Sequence, residues 1–367
     1  MSTPHRLHPT DLELPKHVEH RLFGYLGERR DAGLRMEESF AGAVDALSGF
    51  VLGGGKRIRP TFAWWGWRGA GGDPDGPLAD AVLTAASSLE LIQACALIHD
   101  DLMDASAVRR GSPTVHVAFA ERHRTQRWLG EPERFGLAAA LLIGDVALAW
   151  ADDMLFDSGL PDDALRRMRE PWQYMRSEML AGQYLDMLTQ ARGDSSTQAA
   201  LRIDRLKTAA YTVERPLHLG AAIGGGSPEL IAGLRTFGAD IGVAFQLRDD
   251  LLGVFGDPEV TGKPAGDDLR EGKRTLLVAL GLELAQASGA HAATAALHAA
   301  IGRPDLDTGT VDEVRALLHE LGAVDAVEQR ITALTDTALA ALRAAPVAEP
   351  AATRLAELAV SATKRNH

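Results

Sequence analysis

Two acidic clusters, each trailed by basic residues, carry the chemistry in this chain. The first is Asp100-Asp101-Leu102-Met103-Asp104, followed by Arg109-Arg110-Gly111; the second is Asp249-Asp250, followed by Lys263 and Lys273. The first carboxylates stand at i, i+1 and i+4 and close an apolar run from Leu89 to Met103 that reads as helix. That spacing puts Asp100 and Asp104 on one helical face, with Asp101 beside them. Three carboxylates so close repel one another unless a cation holds them, and an oxygen donor set suits a hard ion, Mg2+ above all. Because Mg2+ completes its shell with water and substrate phosphate, the arrangement asks for a phosphorylated substrate. His99, though adjacent, points away from Asp101 on a helix. Charge runs are usually solvated faces. Here the neighbours Leu91, Ile92, Ala94, Ala96, Leu97 and Ile98 are apolar, and carboxylates closing so greasy a helix need a partner.

The basic residues fit an anion. Arg109 and Arg110 precede Gly111 and Pro113, where a helix must end, and two adjacent guanidiniums on a loop point in different directions, able to clamp two phosphate groups. In Gly53-Gly54-Gly55-Lys56-Arg57-Ile58-Arg59-Pro60, Lys56, Arg57 and Arg59 follow a triglycine whose backbone amides can approach an anion. Arg57 after Lys56 excludes a P-loop. The second acidic cluster closes Phe245-Gln246-Leu247-Arg248-Asp249-Asp250 and leads through Gly262-Lys263-Pro264 and Gly266-Asp267-Asp268 to Gly272-Lys273-Arg274-Thr275.

The elements that must position these groups read as helices. The 367 residues are 46% hydrophobic and 24% charged, the balance of a globular protein, and abundant Ala with scarce Val/Ile alternation favours helix. Helical periodicity covers 15–29, 36–52, 56–69, 78–105, 138–156, 162–189, 201–222 and 228–254, with shorter helices after Lys273. The polar segment 121–134 reads as a surface loop and the Ala-rich end, 338–362, as loosely packed outer helices. A net charge of −12 argues against general nucleic-acid binding. Cys95 alone excludes a disulfide framework and fits a reducing compartment. No signal-peptide pattern opens the chain, and the most apolar stretch, Gly136 to Trp150, is interrupted by Asp145, so a cytoplasmic protein without stable membrane insertion is expected. The simplest account is one all-α domain whose apolar central helices surround a deep central cavity.

In order along the chain, GGGKRIRP, DDLMD, RRGSP, Gly144-Asp145, GQYLD (Gly182–Asp186), Lys207-Thr208 and FQLRDD…GKPAGDD…GKRT make a specific series from Gly53 to Thr275. On these motifs the chain resembles the trans-isoprenyl diphosphate synthase (polyprenyl synthetase) family, with geranylgeranyl diphosphate synthases as the nearest type. The resemblance implies a single isoprenoid-synthase domain over residues 1–367 with its core at about 53–275, acting as a homodimer. It also implies head-to-tail condensation of isopentenyl diphosphate with dimethylallyl, geranyl or farnesyl diphosphate. Asp100, Asp101, Asp104, Asp249 and Asp250 would hold three Mg2+ ions, with Mn2+ as a substitute. Arg109, Lys207 and Lys263 would bind the allylic diphosphate, with Lys273 near the phosphates. Lys56, Arg59, Gln93 and Arg110 would bind isopentenyl diphosphate. Thr208 and Gln246 oxygens would stabilise the allylic cation, and the departing diphosphate would take the proton. Two positions depart from the family pattern: Gly253 stands where the second motif usually has a third Asp, and Gln93 where many members carry His.

Chain length should be set along the helix that ends in the first cluster. Cys95, Ile92 and Leu89 lie about 7, 12 and 16 Å before Asp100 at the helical rise. Small Cys95 and Ala96 leave the first level open, and Ile92 and Leu89 would floor the pocket, pointing to geranylgeranyl diphosphate, with farnesyl or with farnesylgeranyl and longer products as alternatives. A class I terpene cyclase is disfavoured because Asp249-Asp250 replaces its Asn/Asp…Ser…Glu pattern. A head-to-head synthase has no use for the GGGKRIRP segment, and a non-catalytic partner subunit generally lacks an intact first cluster.

Overall fold

The computed structural model describes residues 7–256 and 266–364; Lys263, with Gly262 and Pro264, lies outside them. Among the described residues every regular element is helical except one hairpin. In chain order these are α1 (Pro9–Leu12), α2 (Leu14–Met36), a 3-10 turn (Glu38–Phe40), α3 (Ala41–Leu52), α4 (Ile58–Gly69), α5 (Ala79–Ser87) and α6 (Leu89–Met103). Strands β1 (Val108–Arg109) and β2 (Ser112–Pro113) pair antiparallel, and then come α7 (Val115–Gln126), α8 (Pro132–Phe156), α9 (Asp162–Arg192) and α10 (Thr197–Ile203). A π-helical segment (Asp204–Glu214) leads into α11 (Arg215–Ile223) and α12 (Pro228–Phe255). The remainder is α13 (Asp267–Arg270), α14 (Leu276–Ala287), α15 (His291–Ala300), α16 (Thr308–Glu320), α17 (Ala323–Ala344) and α18 (Ala351–Thr363).

The chain forms two compact units. One comprises Met1–Gln173, Arg215–Ile231 and Pro346–Arg354; the other comprises Tyr174–Glu214, Ala232–Ala345 and Leu355–His367. In the first, α2 buries Leu14, Val18, Leu22 and Leu26, an i, i+4 stripe that gives the helix one apolar side. With Trp64, Trp65, Leu47, Leu91 and Ile98, each at most 1% exposed, these form an apolar interior in which α4 packs on α11 and α6 on α8. In the second, α12 contributes Ala244, Leu247, Leu251 and Val254 to a core completed by Leu277, Leu282, Leu297, Val311, Leu318, Val327 and Ile331.

Several expectations change. The helix expected over 78–105 is two helices: Ser87 and Ser88 donate their hydroxyls to the carbonyls of Leu83 (2.7 Å) and Ala85 (2.6 Å), competing with the backbone ladder where α5 ends. The segment 121–134 is mostly helical, because α7 runs to Gln126 and α8 begins at Pro132. His123, Trp128 and Phe135 pack edge-on or tilted against one another there, with ring centroids 5.1–5.9 Å apart, and this aromatic cluster was hidden among polar letters. The Ala-rich end forms outer helices that bury a narrow stripe, with Ala338, Ala351, Leu355 and Ala359 fully buried and most residues between them half-buried or exposed. Three stretches, 79–103, 132–156 and 228–255, are long and apolar enough to cross a membrane by length and composition, more than the run Gly136–Trp150 suggested. The window in the first is 72% buried within the protein and that in the second only 33%.

Candidate active site

In the first unit, α6 delivers its acidic cluster at its C-terminus, with Asp104 as the cap residue. Asp101 is buried (1% exposed) and Asp100 and Asp104 half-buried. The hairpin that follows turns through Arg110 (φ 53°) and Gly111 (φ 74°), two consecutive positive-φ residues as a tight two-residue hairpin turn demands. It sends its two arginines apart. Arg109 donates Nε to Asp101 Oδ1 at 2.7 Å and Nη2 to Asp100 Oδ2 at 3.4 Å, whereas Arg110 donates Nη1 to the carbonyl of Gly54 at 2.6 Å. Asp101 Oδ2 is buried with no hydrogen-bond partner. Burial raises the Asp101 carboxyl above its ordinary range, Arg109 opposes this, and Asp100 adds to it.

Around Arg110 positive charge is crowded. Its pKa is lowered, first by desolvation and then by the charges of Arg109, Arg57 and Arg59, against the pull of Glu90. Cations gathered this way are stabilised by an anion. The segment GGGKRIRP splits by role: Arg57, left-handed at φ 49° and 3% exposed, donates Nη1 to Glu90 at 2.7 Å in the interior. Lys56 is exposed, and Arg59 on α4 and Gln93 on α6 are half-buried.

His99 turns to α8. Its Nε2 is 3.1 Å from the carbonyl of Leu141, and its ring fills the space that a side chain at Gly144 would need, with Cε1 2.9 Å from a built Cβ. That close approach explains the glycine of Gly144-Asp145. Cys95 lies on this same side, its Sγ 3.7 Å from His99 Nδ1, its thiol pushed up to about 12 by burial, with Asp145 adding to the effect. Ile92 is fully buried one turn earlier. At roughly 3.6 residues per turn, Leu89, Gln93, Ala96 and Asp100 fall along a different face, where Leu89 is fully buried and Ala96 half-buried. Of the four candidate chain-length residues, Cys95 therefore points furthest from Asp100, which a count of residues back from Asp100 did not distinguish.

In the second unit, α12 brings Asp250 into the interior (3% exposed) and leaves Asp249 half-buried. Gln246 donates Nε2 to Asp250 Oδ1 at 2.6 Å, so its amide nitrogen is engaged and its oxygen remains for another task. Asp250 Oδ2 is buried without a partner. Arg248, inside the same motif, instead grips Glu328 through Nη1 and Nη2, both at 2.6 Å, and is structural. The π segment presents Lys207 and Thr208, both half-buried. Lys207 Nζ donates to Asp186 Oδ2 at 2.7 Å, and Gln190 to Asp186 Oδ1 at 3.1 Å. Asp204, one turn before Thr208, is buried with Oδ2 unpartnered; burial and then Asp186 push its carboxyl up to about 8, against Lys207. Asp250 is raised well above its ordinary value by burial, then by the charges of Asp204 and Asp268. Lys273 Nζ lies 2.6 Å from Glu271 and 3.6 Å from Asp268.

Asp186, Asp204 and Asp268 were not singled out from sequence as site residues, although Asp186 and Asp268 belong to recognised motifs. Asp204 had a faint signal: an acidic residue three positions before Lys207 on a helix-like segment.

Among the described residues no group of three or more His, Cys, Asp or Glu side chains is assembled as a metal cage. The donors nonetheless fit Mg2+, since Asp101 and Asp250 each hold a buried carboxylate oxygen with no hydrogen-bond donor. A hard ion that keeps water and phosphate in its shell needs only one or two such oxygens.

In the first unit, a buried carboxylate with an unmet oxygen beside clustered guanidiniums, on an α-helical frame, describes a site for a metal-bound polyanion. Residues 43–318 match the polyprenyl synthetase family, and the chain belongs to that family. A geranylgeranyl pyrophosphate synthase from Corynebacterium glutamicum, crystallised with isoprenyl diphosphate and magnesium, is similar over 96% of this chain and 98% of its own, at 47% identity and a TM-score of 0.91. A short chain isoprenyl diphosphate synthase of Methanothermobacter thermautotrophicus is 39% identical over 64% of this chain and 65% of its own length. A (2E,6E)-farnesyl diphosphate synthase of Mycobacterium tuberculosis is 36% identical over 61% of this chain and 56% of its own. The chain thus spans less than two thirds of the length of these two relatives.

Proposed function

We propose that the protein is a single-domain, Mg2+-dependent prenyltransferase that condenses isopentenyl diphosphate head-to-tail with an allylic diphosphate, releasing geranylgeranyl diphosphate. The observation that carries this reading is the divergence of Arg109 and Arg110. One guanidinium is committed to the buried carboxylates and its neighbour to a crowd of cations, so adjacent residues serve a metal-diphosphate site and a second anion site. A reaction with two diphosphate substrates needs both.

Asp100, Asp101, Asp104, Asp249 and Asp250 would hold three Mg2+ ions, or Mn2+ in their place, and the metal supplies charge neutralisation for the departing diphosphate. Arg109 and Lys207, with Lys263 beyond the described residues and Lys273 nearby, would bind the allylic diphosphate. Lys56, Arg59, Gln93 and Arg110 would orient isopentenyl diphosphate for attack. Thr208 and the oxygen of Gln246 would face the allylic cation, and the apolar surroundings would exclude water from it. The twenty-carbon product rests on small Ala96 below Asp100 and on the Corynebacterium synthase; the farnesyl synthase relative argues for a shorter one.

A homodimer in the cytoplasm accompanies this reading. On α8, Leu137, Leu141 and Leu142 are 47%, 52% and 61% exposed, an apolar face suited to a second copy. Light scattering should give a dimer mass, and Leu141→Asp/Leu142→Asp should give a monomer. A monomeric wild type, or one that sediments with lipid vesicles, would overturn this part.

The test of function is product sizing after incubation with Mg2+, isopentenyl diphosphate and, separately, dimethylallyl, geranyl and farnesyl diphosphates. Geranylgeranyl diphosphate is the expected main product. A different chain length would keep the reaction and overturn the product; absence of isopentenyl consumption with every primer would overturn the reaction.

A further inference from the structure

We propose that Asp268 supplies the carboxylate that the second acidic motif lacks at Gly253, so that Asp249, Asp250 and Asp268 together form the second Mg2+-holding set. The inference rests on the metal-diphosphate reading above and assigns a residue to it.

On α12, positions 249, 250 and 253 repeat the i, i+1, i+4 spacing of Asp100, Asp101 and Asp104, and the third position holds glycine. A side chain there would leave the helix where the Asp268 carboxylate now stands: a Cβ built on Gly253 overlaps Asp268 Oδ2 and comes within 2.8 Å of its Cγ. The backbone fixes this approach. Gly266 N donates to Gly253 O at 3.2 Å, tying the start of α13 to the end of α12, and Lys273 N donates to Asp268 O at 2.9 Å. Glycine at 253 thus does more than delete a carboxylate. It opens the space through which a carboxylate from a later element reaches the same ground.

A second observation points to a ligand. Asp250 is 3% exposed and its Oδ2 meets no donor, although Gln246 satisfies Oδ1. Gly253, whose side-chain space the Asp268 carboxylate enters, lies less than one turn beyond Asp250 on α12. Bringing another negative group toward a buried, half-satisfied carboxylate is unfavourable unless a cation joins them. Lys273, 3.6 Å from Asp268, lies closer to Glu271 at 2.6 Å, so it answers Asp268 only in part. The rival role for Asp268 is structural, as a partner of Lys273.

The experiment is titration calorimetry of Mg2+ into protein saturated with inorganic diphosphate, alongside thermal melts without metal and isopentenyl turnover. Asp268→Asn should weaken Mg2+ binding by about tenfold, the scale expected when a carboxylate near a metal is neutralised, and should not lower the metal-free melting temperature. Gly253→Asp alone should melt lower, because its side chain collides with Asp268. The exchange variant Gly253→Asp/Asp268→Gly should recover Mg2+ affinity to within about threefold of wild type, since it returns the carboxylate from the other side of the same space. Wild-type Mg2+ affinity in Asp268→Asn, or no recovery in the exchange variant, would overturn the inference while wild-type turnover leaves the enzyme reading standing. Should Asp268→Asn fail to fold, the exchange variant decides alone. A wild type that neither binds Mg2+ with diphosphate nor consumes isopentenyl diphosphate would overturn the function itself.

Discussion

Arg109 is bonded to Asp101, with Nε 2.7 Å from Oδ1, while the other oxygen of that buried carboxylate meets no donor. The guanidinium therefore stands in the charge balance of the first acidic cluster before any metal or substrate arrives.

Replacing Arg109 by Gln should consequently cost stability as well as substrate affinity. Leaving Asp101 buried beside Asp100 without its cation should lower metal-free stability by about 2 kcal/mol or more. Mg2+ with inorganic diphosphate should regain most of the loss. Paired melts with and without Mg2+-diphosphate check this; equal melting of the metal-free variant and wild type would show that Arg109 contacts substrate alone.

Lys56 and Arg57 are adjacent but should fail differently. Arg57 is paired with Glu90 in the interior, and Arg57→Ala removes that buried glutamate's hydrogen-bonded cation, a loss of about 3–5 kcal/mol. Exposed Lys56 is proposed to bind isopentenyl diphosphate, so Lys56→Ala should leave the melting temperature within about 1 °C and raise KM for that substrate by about tenfold. Thermal melts and steady-state kinetics on both variants separate the roles; a KM effect in Arg57→Ala without loss of stability would contradict the assignment.

Product length should answer to Ala96 before Cys95. Ala96 shares a face of α6 with Asp100, whereas Cys95 is packed toward His99. Ala96→Phe should shift the main product to fifteen carbons with turnover retained. Cys95→Phe should overpack the interior and destabilise the protein by about 1–3 kcal/mol. Chromatography of the prenyl products and a melt on each variant test the distinction; an unshifted product from Ala96→Phe would remove that face from the pocket wall.

Asp204 should make the metal-free protein less stable as pH rises. Its carboxyl is held up to about 8 in the folded state, chiefly by burial, against about 3.9 for an unfolded aspartate. Below the unfolded value both states are protonated and nothing is lost; between the two values the unfolded chain ionises first and gains. Asp204→Asn should therefore melt close to wild type near pH 4 and higher than it by roughly 2 °C or more at pH 8. A gap that does not widen with pH would show that the group is not held neutral.

The sequence carried the helical class, the order of the motifs and the two acidic clusters, because helix-forming periodicity and i, i+1, i+4 carboxylates are local patterns. The Arg109/Arg110 divergence was legible too, since a Gly-terminated turn cannot aim neighbouring side chains alike. Less was legible at 121–134, where Phe119, His123, Trp128 and Phe135 gather among charged letters, and at 78–105, where two serine hydroxyls end a helix that apolar periodicity would continue.

By itself, then, the amino-acid order determined which groups were present to hold metal and diphosphate and which helices would carry them. Tertiary structure decided which of them stand where they could do so. It drew Arg57 inward to Glu90, sent Arg248 to Glu328 and set Asp204 near Asp250. It also laid Asp268 against the bare backbone of Gly253. Such outcomes depend on burial and on charges brought close by folding, and neither has a period along the chain.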